Sequence, residues 1–227
     1  MRYPRGPHPR NKGIFAQNGT VVIYVHGLWL NGWESMLLRR RLASHLDGQA
    51  ALFSYSSVNG GLTQNVQDLA DFLEGLRADT LHLVGHSMGG LLILELFETA
   101  RALPPGRIVL LGSPVQGSQA ARKLAQWPLG RRIMGLTAHD ALLSDRARRW
   151  SGARDLGVIA GDLALGFGRL VGHFGEPSDG TVLVSETRLD GARQHLTLRT
   201  THSGMLYSRP VARQVGMFLR EGRFVAE

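Results

Sequence analysis

Three side chains in this sequence could work together as a nucleophile, a base and an acid that orients the base. The nucleophile candidate is Ser87, set in Gly85-His86-Ser87-Met88-Gly89 between an apolar stretch (Leu81, Leu83, Val84) and a second one (Leu91, Leu92, Leu94, Leu96, Phe97). This is the G-x-S-x-G spacing. It suits a serine on an abrupt strand-to-helix turn, where a Cβ on either glycine would collide with the returning chain. A serine hydroxyl attacks well only when a base removes its proton and a third group holds that base. His202, just past a short apolar run, is the candidate base. His195 begins that run and so falls at the opposite end, and His173 lies in a glycine-rich loop. For the acid, two aspartates fit from the residues alone. Asp179 sits in a Ser-Asp-Gly turn, and Asp162 directly ends a strand-like run; Asp155 and Asp190 are weaker rivals.

The negative charge that develops during attack on a carbonyl needs two N–H donors. The amide of Met88 follows the nucleophile, and the new helix points its N-terminal N–H groups at the same place. The amide of Leu28, after His26-Gly27, is the second candidate, since Gly27 lets the loop fold back.

The elements that must carry these residues alternate along the chain. Runs at 20–25, 51–55, 81–84, 107–111, 157–161 and 196–199 read as strands, and apolar residues at helical spacing mark 33–46, 65–76, 91–97 and 204–220. Continuous apolar strands interleaved with helices indicate an α/β, doubly wound, mostly parallel six-stranded sheet with right-handed crossovers. Ligands of such sheets sit beyond the carboxyl ends of the strands. His26, Ser87, Ser113, Asp162, Asp179 and His202 all follow strand-like runs. Residues 1–13 read as an irregular basic arm and 14–227 as one domain, with a helical insertion, a candidate cap or lid, at 116–155.

Composition narrows the function classes. The 227 residues contain no cysteine, which removes disulfides, thiol nucleophiles and cysteine metal sites. The net charge is +8, and Arg2, Arg5, Arg10 and Lys12 crowd the first twelve residues. With Tyr3 as the arm's one aromatic and no basic helix, this reads as a solvated tail, and no nucleic-acid partner is expected. No apolar run is long enough to span a bilayer and no export signal is visible, so a cytoplasmic location is the expectation. No His/Asp/Glu spacing suggests a metal.

Taken together, His26-Gly27-Leu28, Gly85-His86-Ser87-Met88-Gly89-Gly90, Gly112-Ser113-Pro114 with Gly117-Ser118, Ser178-Asp179-Gly180-Thr181-Val182 and His202 resemble the lipase/esterase branch of the α/β-hydrolase superfamily. They are similar in particular to small bacterial triacylglycerol-lipase-like and PGAP1-like serine hydrolases. The resemblance spans about residues 20–220. It implies carboxylic-ester hydrolysis through an acyl-enzyme on Ser87, without a cofactor, and it selects Asp179 over Asp162. It implies a reduced sheet lacking the family's first two strands. A thioesterase or amidase with the same three residues, or a non-catalytic binding protein on this fold, remains the alternative.

Around that constellation, His26 and His86 are expected to hydrogen-bond within the oxyanion loop and the elbow, and Ser113 to border the pocket. Trp29, Leu30 and Trp33 suit an acyl pocket and a plain core equally. The 116–155 insertion reads either as a lid or as a covering helix pair. As a lid it would carry Arg131, Arg132, Arg146, Arg148 and Arg149 on its outer face, toward an anionic lipid interface. The expected partner is therefore a small-molecule or lipid ester.

Overall fold

The protein is described here as a computed structural model covering residues 19–99, 102–127, 129–143, 148–165 and 175–225. The basic arm, His173 and Arg146 lie outside the described residues. Among the described residues, six strands form one sheet: β1 (Thr20–Val25), β2 (Gln49–Phe53), β3 (Thr80–His86), β4 (Ile108–Leu111), β5 (Leu156–Gly161) and β6 (Gln194–Leu198). Their order is β2-β1-β3-β4-β5-β6 and every pairing is parallel, so the sheet is wholly rather than mostly parallel.

Parallel strands need crossovers, and the helices supply them on both faces. They are α1 (Met36–Leu46), α2 (Leu62–Glu74), α3 (Met88–Phe97), α4 (Gln119–Ala125), α5 (Gly130–Leu142) and α6 (Arg209–Glu221). Alternate strand residues divide between two cores because successive side chains point to opposite faces. Ile23, Leu83, Leu110 and Val158 join Leu69, Leu73, Leu91 and Leu92 of α2 and α3 in one cluster. Tyr24, Val84, Val109 and Ile159 join Leu38 and Leu42 of α1 and Val215 and Phe218 of α6 in the other.

Helix ends follow local chemistry. Ser208 caps α6 by accepting from Val211 N, and Gly222 at φ 76° ends it. Ser118 caps α4 by accepting from Ala121 N at 3.1 Å. The 33–46 periodicity resolves into a 3-10 turn, Trp33–Ser35, before α1. The 204–220 stretch likewise divides into a 3-10 turn, Gly204–Leu206, and α6. Strand ends shift by one or two residues from the sequence reading.

Within 116–155 lie α4 and α5, with Gly135 kinking α5 at φ 78° and ψ 179°. The kink lets α5 lie against the loop after β2, where a Cβ on Gly135 would stand 2.1 Å from Val58 O. Leu136 N donates to Val58 O at 3.0 Å, and buried Asn65 donates to Thr137 Oγ1 at 2.8 Å. Arg148 is buried instead of lying on an outer face. It pairs with Glu95 at 3.4 Å and donates to Val115 O and Ala141 O, so its charge ties the insertion to α3. Arg149 is exposed.

A buried histidine in β3 ties stability to pH. Arg107 N donates to His82 Nδ1 at 2.9 Å, so the ring is neutral with its proton on Nε2. Burial first, then the charges of Arg107 and Arg154, lower its pKa from 6.5 to about 4. The unfolded chain therefore takes up this proton before the folded one does. The stabilisation is present above pH 6.5 and is lost as the pH falls from there toward about 4. Urea denaturation of wild type should show stability falling as the pH goes from 6.5 toward about 4, with a contribution from this site of up to about 1.4 kcal/mol per pH unit. His82→Asn keeps an acceptor for Arg107 N but cannot titrate, so its acid slope should be shallower. An unchanged slope would remove His82 as a cause.

Candidate active site

Ser87 occupies the turn between β3 and α3 with φ 54° and ψ −124°, a left-handed backbone that costs a residue with a Cβ about 1–3 kcal/mol. Its surroundings force the turn to be this tight. A Cβ on Gly85 would lie 2.5 Å from Gly90 Cα, and one on Gly89 would lie 2.2 Å from Val25 O. Ser87 N donates to Leu111 O at 2.8 Å, so the parallel ladder reaches Ser87 itself.

The loop after β1 folds over Ser87. The position of a Cβ on Gly27 is 3.1 Å from Ser87 Cβ. Its conformation is held by His26, which is fully buried. Tyr55 N donates to His26 Nε2 at 3.2 Å, and a backbone N–H can only donate; the ring proton is therefore on Nδ1 and goes to Gly27 O at 2.8 Å. In a trans peptide the carbonyl and the next N–H point in opposite directions. Gripping Gly27 O thus sets the direction of the Leu28 amide. Tyr55 reinforces this by stacking on His26 with centroids 4.4 Å apart and by donating its hydroxyl to His26 O at 2.9 Å. Sequence reasoning missed Tyr55, and its one signal was a tyrosine just past a strand on the same edge.

His202 and Asp179 meet over the ends of β4 and β5. His202 Nδ1 lies 2.7 Å from Asp179 Oδ2, and Asp179 is 1% exposed. Asp179 Oδ1 accepts from Thr181 N at 2.9 Å and Val182 N at 2.7 Å, so the tight turn aims the carboxylate inward. An ionised carboxylate only accepts, which places the imidazole proton on Nδ1 and leaves Nε2 free to act as a base. His202 N also donates to Asp179 O at 2.9 Å. Glycines make room for the pair. A Cβ on Gly112 (φ 54°) would be 3.0 Å from Asp179 Oδ2 and 3.1 Å from His202 Nδ1, and one on Gly161 would be 2.8 Å from Asp179 Cβ.

Asp162 directly follows β5 and is exposed, and Asp155 is engaged with Arg107 and Arg193. His195 bonds Thr187 Oγ1 at 2.8 Å instead of an acid at the carboxyl edge. His86 and Ser113 are buried beside the elbow, and Ser113 Oγ, with no partner among the described residues, faces Gly90. Trp29 and Trp33 are 49% and 66% exposed, so neither belongs to the core. Glu186, which sequence reasoning passed over, accepts from Gln119 N at 2.5 Å and Leu183 N at 2.9 Å, pinning the loop after Asp179 to the start of α4. Burial raises its pKa, opposed by those two hydrogen bonds. Among the described residues no group of three or more His, Asp or Glu side chains could hold a metal ion, and no helix is long and apolar enough to cross a membrane.

Solved structures show how widely this architecture is used. The mature lipase BlEst2 of Bacillus licheniformis superposes with a TM-score of 0.66 at 18% identity, covering 98% of this chain and 96% of that one. A pyrethroid hydrolase from Sphingobium faniae JZ-2 gives 0.58 at 13% identity over 89% and 98% of the two chains. The Vlm2 thioesterase domain, solved with a dodecadepsipeptide, gives 0.52 at 16% identity over 96% of each. At these identities the likeness is one of fold. No curated protein sequence matches the chain significantly. The profile of the alpha/beta hydrolase family matches residues 22–218, from the third residue of β1 into α6, and so takes in the elbow and both downstream loops. On that match, the six-stranded parallel protein with Ser87 at its central turn belongs to the alpha/beta hydrolase family.

Proposed function

We propose that this hydrolase cleaves carboxylic esters of acyl chains through an acyl-enzyme on Ser87. The observation that carries the reading is the 2.7 Å contact between His202 Nδ1 and buried Asp179 Oδ2, on the sheet edge where Ser87 is raised on its left-handed turn. His202 Nε2 takes the Ser87 proton as Oγ attacks the ester carbonyl. Asp179 fixes the tautomer and stabilises the imidazolium. The amides of Met88 and Leu28 receive the oxyanion. His202 then gives the proton to the leaving alcohol, and a water activated by the same nitrogen releases the acid.

Exposed apolar side chains occur on two segments that follow strands β1 and β4. Trp29, Trp33 and Met36 follow β1, while Trp127, Leu129 and Leu136 lie on the α4–α5 segment after β4. Arg39, Arg40 and Arg41 continue the first group, and Arg122 and Lys123 precede the second. Tryptophan favours the bilayer–water boundary and arginine favours anionic headgroups. An anionic lipid surface is therefore the proposed place where the ester is met.

Ser87→Ala should abolish p-nitrophenyl ester hydrolysis and fluorophosphonate labelling while the circular dichroism of the fold is retained; full activity would end the nucleophile assignment. Asp179→Asn should lose about 10²- to 10⁴-fold in kcat, since the wrong tautomer is then favoured. Asp162→Asn should change kcat less than about twofold, as for an exposed side chain outside the site, and the reverse pattern would transfer the role. Matched ester and thioester substrates of one acyl chain separate the esterase from a thioesterase by their kcat/KM. The protein should co-sediment with phosphatidylglycerol vesicles better than with phosphatidylcholine vesicles, and Trp33→Asp should weaken that binding without lowering hydrolysis of a soluble short-chain ester. Equal binding of the variant would remove this edge as the lipid contact.

A further inference from the structure

The residue before the nucleophile has no part in the proton transfers just described, yet it is bonded to the base. His86 ends β3, two residues after Val84 and on the same face, which is the one covered by α1 and α6. The loop after β6 delivers His202 onto that face. His86 Nε2 lies 3.1 Å from His202 O, and the two rings pack with centroids 4.6 Å apart at 44°. A carbonyl oxygen can only accept, so His86 carries its proton on Nε2 and donates it. His86 Nδ1 is then a bare lone pair, enclosed with no hydrogen-bond partner among the described residues, and 3.2 Å from where a Cβ on Gly27 would stand.

His202 is thus held at both ends of its own backbone unit. Its N–H donates to the carbonyl of the acid residue at 2.9 Å, and its carbonyl accepts from the residue before the nucleophile. We infer that His86 is a positioning residue: its Nε2–H, bonded to His202 O, and its ring, packed on the His202 imidazole, set the base against Ser87. The inference rests on the proposed roles of Ser87 and His202 and goes beyond them by naming what couples the two loops. Peptide bonds fix Ser87 relative to His86, and the hydrogen bond fixes His202 relative to His86. The nucleophile–base geometry is therefore set through one side chain rather than by two loops independently. A buried neutral ring is suited to this. Burial first, then the neighbouring His202, lower the His86 pKa to about 3. The titratable groups that face it are the imidazoles of His202 and His26. When His202 becomes imidazolium, His86 stays neutral and places no second cation beside it.

The test compares His86→Phe, which keeps ring volume and packing but removes the donor, with His86→Gln, whose Nε2 can occupy the place of the imidazole Nε2. For soluble p-nitrophenyl esters, His86→Phe should lower kcat about 10- to 100-fold, the usual cost of a misplaced reacting group, with KM changed less than about twofold. His86→Gln should recover most of that loss. In proton NMR spectra, the far-downfield signal of His202 Nδ1–H bonded to Asp179 should be sharp in wild type, broadened or absent in His86→Phe, and present again in His86→Gln. Wild-type kcat and an intact signal in folded His86→Phe would overturn the inference, and so would equal losses in folded His86→Phe and His86→Gln. Two readouts are independent of ester turnover. If wild type proves inactive on esters, the functional reading fails, while the downfield signal across the variants still decides whether His86 orders His202. If neither variant folds, long-range proton–nitrogen correlation on wild type decides. Neutral His86 with Nε2–H down to about pH 4, as its burial requires, supports the inference, and an Nδ1–H tautomer overturns it.

Discussion

Everything at the carboxyl edge of this sheet depends on the backbone collision avoided at one turn. Ser87 is held at φ 54° because the chain enters from β3 and leaves into α3 with no room between them. Gly85 sits against Gly90 and Gly89 sits against the carbonyls of Val25 and His26, so side-chain atoms at those two positions are excluded by main chain, which cannot move aside. The strain is borne by the surrounding sheet, in which β1 and β4 flank β3 in register, Val25 opposite Gly85 and Leu110 opposite the same glycine. A strained serine persists only where the neighbours over-determine it. Here the neighbours are the central strands.

The rest of the site is assembled on that frame by hydrogen-bonded polar groups from several loops. His26 keeps one tautomer because Tyr55 N must donate to it, and that tautomer grips Gly27 O, the carbonyl of the peptide that carries the Leu28 N–H. Asp179 spends one oxygen on its own turn and the other on His202. Glu186 secures the loop after Asp179 to the start of α4. Such networks are worth most when every member is satisfied, since an unpaired buried polar group is costly at low dielectric. Two buried atoms beside the elbow without a partner among the described residues, His86 Nδ1 and Ser113 Oγ, both lie where glycines bring main chain close.

The insertion after β4 shows the same economy. Arg148, which composition alone would assign to a basic outer face, is turned inward against Glu95 and two carbonyls. A long side chain with five donors can satisfy several buried carbonyls at once, whereas a lysine could not match that fork. Leu136 and Thr137 bond the loop after β2, so the half of α5 beyond Gly135 is part of the packed body.

The elements and the order of the chemistry were legible in the sequence because they rest on local rules. Alternating apolar runs and helical periods specify a parallel sheet with covering helices, and G-x-S-x-G between a strand and a helix specifies an elbow. Strand and helix ends were less legible, because a terminal residue is decided by partners across the sheet and by caps. Which aspartate meets His202 was not legible from the residues alone: Asp162 and Asp179 both follow strand-like runs. Only the tertiary structure separates them, turning Asp162 outward and burying Asp179 beneath His202 over Gly112 and Gly161. Tyr55, Glu186 and the bond from His86 to His202 belong to the same class. Each joins residues from distant parts of the chain, and no local spacing encodes a contact that exists only once the sheet has brought its loops to one edge.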